Sequence, residues 1–83
     1  MLERFRKSPV TDPDPKIRGD ALLALGPDDP AFIEAIKNDD DAAVRARLVA
    51  TLTDLSTLQA RMSDDAAGGV KEACATRLRA LLG

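Results

Sequence analysis

Three basic residues each follow a β-branched neighbour: Ile17-Arg18, Val44-Arg45 and Val70-Lys71. A guanidinium offers a rigid fork of donors that grips a carboxylate or phosphate through two parallel bonds, whereas an ammonium is a compact point charge. Aspartates precede each pair: Asp12 and Asp14, then Asp39 to Asp41, then Asp64 and Asp65. Two uses of these bases compete. Lined up on one face, Arg18, Arg45 and Lys71 form a cationic ladder, a groove for an acidic peptide or a phosphate backbone. Alternatively, each pairs with an aspartate at the neighbouring helix start, such as Asp41 or Asp65. Acid and base recur together, which favours pairing. Exposed pairs of this kind contribute about 0–1 kcal/mol each, so they set register more than stability. A second basic cluster, Arg4, Arg6 and Lys7 with Lys16, offers contact to nucleic acid or an anionic surface. It also reads as ordinary solvated surface, because phosphate-backbone binding draws on more contacts than this.

Other chemistry is thinner. A calcium loop needs alternating oxygen ligands, a central glycine and a late glutamate. None of the runs Asp28-Asp29, Asn38 to Asp41 or Asp64-Asp65 has that spacing, and all sit where helices should begin. The chain has one cysteine and no histidine. Cys74 therefore lacks an activating imidazole and reads as a small core hydrophobe. Ser8, Ser56 and Ser63 lie in no nucleophile motif, and Gly68-Gly69 is not followed by the Lys-Ser/Thr of a phosphate loop. No catalytic residue, metal or cofactor is expected.

The elements that must position the bases follow from spacing. Ile17, Ala21 and Leu25 are four apart, as are Val44, Leu48 and Leu52, and Val70, Cys74 and Leu78. Each trio falls on one helix face. The aspartates ahead of each trio suit N-caps and the positive end of the helix dipole. Asp14-Pro15 is a strong start, and Gly26-Pro27 a strong stop. A shorter helix follows at Asp29-Pro30, with Phe32, Ile33 and Ile36 as its apolar face. Another follows at Thr53 or Asp54, with Leu55, Leu58 and Met62. Gly68 and Gly69 loosen the third entry, so its helix should begin near Gly69. Two extra residues also separate its aspartates from Val70. Sustained period-two alternation is absent. The pattern predicts paired helices of roughly 12 and 8 residues. The predicted buried seam is Ile17, Leu25, Ile33, Ile36, Val44, Leu48, Leu52, Leu58, Val70, Cys74 and Leu78.

The β-branched residues at 17, 44 and 70 are spaced by 27 and then 26 residues. A period in that range indicates stacked helical units. The 83 residues allow one domain, whose core contains few large side chains: 45% of residues are hydrophobic, mostly Ala and Leu, and Phe5 and Phe32 are the only aromatics. The net charge of −2 argues against general attraction to nucleic acid. No apolar run approaches the roughly 18 residues that span a bilayer, and no signal-peptide core follows the basic N-terminus. A soluble, cytoplasmic chain without membrane contact is expected.

The phrase acidic-x-x-x-[Ile/Val]-[Arg/Lys]-x-x-[Ala/Leu]-x-x-x-Leu resembles HEAT-like repeats over residues 12–82. Its short period and short second helix look closer to the leucine-rich-repeat-variant and lyase-type HEAT-like groups than to long HEAT repeats. The resemblance implies an all-α fold, a short α-solenoid of three units at about 12–37, 39–62 and 64–82. It has five main helices, and residues 1–11, with Leu2 and Phe5, form an N-terminal cap. The N-terminal segment and Thr76–Leu82 also look like the opening of larger bacterial proteins, where such an array precedes a charged coiled coil. This chain lacks the cysteine group of iron–sulfur variants and the aromatics of glycosylase relatives. The expected function is a non-catalytic protein-interaction scaffold. A basic-face nucleic-acid-binding domain using Arg4, Arg6, Lys7, Arg18 and Arg45 is the alternative. Leu78, Leu81 and Leu82, at an end with no following helix, are candidates for docking or self-association.

Overall fold

The computed structural model describes residues 9–83. The expected cap helix from Leu2 and Phe5 and the basic cluster Arg4, Arg6 and Lys7 lie outside the described residues. Of the cap region, Pro9–Thr11 forms a single 3₁₀ turn. Five helices follow: α1 (Pro15–Leu25), α2 (Pro30–Asn38), α3 (Ala42–Val49), α4 (Leu55–Asp64) and α5 (Gly68–Leu82). The described residues contain no strand. None of their helices is long and apolar enough to cross a membrane.

Aspartate starts four of the five helices. Asp14 accepts from the Lys16 N–H at 2.9 Å, Asp29 from Ala31 at 2.9 Å, Asp41 from Ala43 at 2.8 Å and Asp54 from Ser56 at 3.2 Å. Each bond satisfies one donor that the first helical turn leaves free. The fifth helix differs: Ala67 stands at its N-cap and supplies no side-chain bond, and the helix begins at Gly68. Gly26 ends α1 at φ 88°, a left-handed conformation suited to glycine, and donates to the Leu22 carbonyl. At the end of α3, which has no proline or glycine, the Thr51 hydroxyl bonds the Leu48 carbonyl at 2.8 Å. The N–H groups of Thr51 and Leu52 then reach only three residues back, to Leu48 and Val49. This tightening stops α3 after eight residues. Helix lengths therefore do not alternate as 12 and 8; α4 has 10 residues and α5 has 15.

Helices α1, α3 and α5 pack in succession, α2 lies against α1 and α3, and α4 packs chiefly on α5. The 3₁₀ turn sits on α1. The molecule extends 49 × 22 × 16 Å. Its core is Leu22, Phe32, Ala35, Ile36, Val44, Leu48, Val49, Leu52, Leu58, Val70, Cys74 and Leu78. The expected seam is therefore correct in α3, α4 and α5 and wrong at three positions. Ile17, Leu25 and Ile33 are 43%, 47% and 46% exposed.

The exposure of Ile17 and Leu25 has a positional cause. They match Val44 of α3 and Leu52 just beyond it, and Val70 and Leu78 of α5, all of which are buried. α3 has α1 and α2 ahead of it, and α5 has α3 and α4 ahead of it. Among the described residues, α1 has only the 3₁₀ turn upstream, so its equivalent stripe is left open. What α1 buries instead is Leu22, the equivalent of Val49 in α3. In α2 the buried face is Phe32, Ala35 and Ile36, which leaves Ile33 at the edge of a cleft with Pro27 and Leu52. Leu55, expected on the apolar face of α4, is also exposed.

Candidate functional site

Before each of α1, α3 and α5 the chain makes the same aspartate turn. Asp12, Asp39 and Asp65 accept the N–H two residues on, from Asp14 at 2.8 Å, Asp41 at 2.9 Å and Ala67 at 2.9 Å. Each stands five residues before Ile17, Val44 or Val70. The third unit thus has no inserted residues. It has lost only the second aspartate, and Ala67 stands where Asp14 and Asp41 stand.

These turns receive the arginines. Arg18 grips Asp39 through two bonds, Nε to Oδ2 at 3.0 Å and Nη2 to Oδ1 at 2.8 Å, while its Nη1 donates to the carbonyls of Asp12 and Pro13. Arg45 repeats the arrangement one unit later. It holds Asp65 at 2.8 and 3.2 Å and donates Nη1 to the Asp39 carbonyl. Each guanidinium therefore ties its own helix entry to the entry of the next helix in the α1–α3–α5 row. The side chains are well covered, 16% and 7% exposed in the first clamp and 14% and 3% in the second. Burial acts to raise the Asp39 and Asp65 carboxyls. The arginine bonds, the backbone N–H groups and nearby positive charge outweigh it and hold both below the ordinary carboxylate range. The hydrogen bond to Asp39, opposed by burial and aided by the charge of Asp39 to Asp41, raises Arg18 further.

Of the three bases, Arg18 and Arg45 are paired with aspartates, the reading the sequence favoured over a free cationic ladder. Arg45 takes Asp65 as expected, and Arg18 takes Asp39 rather than Asp41. Lys71 holds the third register position, is exposed and makes no ion pair with any described residue. Asp12, the register mate of Asp39 and Asp65, likewise has no ion pair among the described residues. Each end of the row therefore carries half a clamp. Leu81 and Leu82 are exposed at the end of α5, Leu82 by 68%.

A further contact was not foreseen. Arg47 of α3 crosses onto α1, donates to Asp20 at 2.5 Å and lies directly over Gly19. The hydrogen bond from Arg47 lowers the Asp20 carboxyl, against partial desolvation. A Cβ on Gly19 would collide with the guanidinium. Gly19 itself was the available signal: a mid-helix glycine costs about 1 kcal/mol relative to alanine, which a close approach explains. Cys74 is buried, and this desolvation, reinforced by Asp65, pushes its thiol upward.

Two shallow clefts lie on the side of the α1–α3–α5 row. One, of about 540 Å³, is bounded by Pro15, Lys16, Ala43 and Arg47. The other, of about 400 Å³, is bounded by Ala50, Gly69, Ala73, Thr76, Arg77 and Ala80. Charges of both signs line both clefts among short side chains, Asp14, Lys16, Asp41 and Arg47 in the first and Glu72 and Arg77 in the second. No family model matches this chain, and no curated protein and no solved structure is similar to it.

Proposed function

We propose that this chain is a non-catalytic protein-interaction scaffold, a short α-solenoid of HEAT-like units. The observation that supports it most is the clamp repeated at one register, Arg18–Asp39 and then Arg45–Asp65. Two helix junctions built from the same atoms make the units equivalent and extend them along one direction. A stack of this kind spends little surface on a closed core and offers long faces instead. The α1–α3–α5 face, with Ala43, Ala50, Ala73 and Ala80 lining its clefts, is the surface assigned to the partner. The clamps also withdraw Arg18 and Arg45 from a phosphate-binding role.

Photo-crosslinking residues placed at Ala43, at Ala80 and at Gln59 on α4 test the proposal in the native host. Discrete protein adducts from Ala43 and Ala80 but not Gln59 are expected. Adducts from all three sites alike, or none, overturn it. So does saturable binding of duplex DNA or RNA at low salt that blocks crosslinking from the α1–α3–α5 face.

A further inference from the structure

We infer that the two ends of this chain fit each other, so that copies associate head to tail with Lys71 of one copy beside Asp12 of the next. The inference rests on the stacking reading above and names a second copy as the partner of the α5 end. Both halves of the missing junction are present in one chain. The internal junctions need a base one position after the β-branched residue and an aspartate five before the next one. Lys71 and Asp12 occupy those two positions, and neither has an ionic partner among the described residues. The apolar surfaces match in the same sense. Ile17, Ala21 and Leu25 form the stripe that α3 and α5 bury against what precedes them. In α1 the outer two of these remain more than two-fifths exposed. The 3₁₀ turn Pro9–Thr11 stands immediately upstream of Asp12, where the last turn of α2 stands upstream of Asp39 and that of α4 upstream of Asp65. In the joined row this turn stands in place of a second helix, so α5 alone of the first copy meets α1 of the next.

The contact is weaker than the internal junctions for two reasons. Lysine supplies a point charge in place of the arginine fork. Ala75 stands where α1 presents Leu22 and α3 presents Val49. The association is consequently reversible, and a head-to-tail contact of unlike surfaces does not close into a symmetric pair.

Sedimentation of the intact chain over rising concentration tests this. The weight-average mass is expected to climb past the dimer without a plateau. Lys71→Asp and Asp12→Lys should each weaken association by about tenfold, with salt dependence, and an equimolar mixture of the two should recover it. Ile17→Glu, which touches no cap, should abolish association while leaving the helical signal intact. A chain monomeric at every concentration, a closed dimer, or a mixture of charge variants that fails to recover association overturns the inference. Crosslinks from Ala43 and Ala80 to other proteins do not depend on this junction, so the two proposals fail separately.

Discussion

At the scale of single residues, the decisive groups are Asp39 and Asp65. Each carboxylate does two tasks at once, accepting a backbone N–H at a helix entry and two bonds from an arginine of the preceding helix of the row. Their folded-state pKa values lie below the ordinary 3.8. The unfolded chain therefore binds protons first as pH falls, and the stabilisation is present above that value and lost below it. With no histidine in the chain, unfolding free energy should be nearly flat from about pH 7 to 5 and drop below about pH 4. Asp65→Asn keeps an acceptor for the Ala67 N–H but removes the charge facing Arg45. It should cost about 2 kcal/mol at neutral pH, because Arg45 is left buried with a weaker partner. The deficit should shrink near pH 3, where the parent is itself losing the charge. Urea unfolding at both pH values measures this; equal stability at pH 7 together with an unchanged acid slope would remove the clamp from the account.

At the scale of elements, equivalent positions have unequal surroundings. Ile17, Val44 and Val70 share one register, yet only the last two are buried. Truncating Val44 or Val70 to alanine should cost about 2–3 kcal/mol, from lost transfer energy plus a cavity. Ile17→Ala removes more atoms but should cost less than about 1 kcal/mol, since its site is already open to solvent. Thermal unfolding of the three variants checks the order; an Ile17→Ala cost matching that of Val70→Ala would show the α1 stripe to be covered. This contrast marks the limit of what was legible in the chain. Helix starts were readable because Asp14, Asp29, Asp41 and Asp54 precede apolar runs, and four-residue spacing placed each trio on one face. Spacing alone does not say which of two adjacent stripes meets a neighbour. That is why Leu22 was missed for Ile17 and Leu25, and Phe32 and Ala35 for Ile33. The clamp was half legible: acid and base recur together, but Asp39 and Asp41 differ in role only once the turn geometry gives one to the backbone and the other to Arg18 as well.

At the scale of the whole molecule, stability should be graded along the row. α3 is bordered by α1, α2 and α5, whereas α4 leans chiefly on α5, and the last turn of α5 carries exposed Leu81 and Leu82. Units that touch mainly their neighbours pass a local perturbation on only weakly. Amide hydrogen exchange should therefore be slowest over residues 44–49, whose side chains Val44, Leu48 and Val49 are all buried. It should quicken toward the start of α1 and be fastest over the final turn of α5, where exposed Leu81 and Leu82 do little to oppose fraying. Leu78 is the sharpest probe of this gradient, being buried near the end of α5. Leu78→Ala should accelerate exchange throughout α4 and α5, raise it modestly in α3 and leave α1 close to its parent rates. Equal acceleration in α1 and α5 would mean that the five helices open as one unit, and the weak coupling argued from the α1–α3–α5 order would not hold.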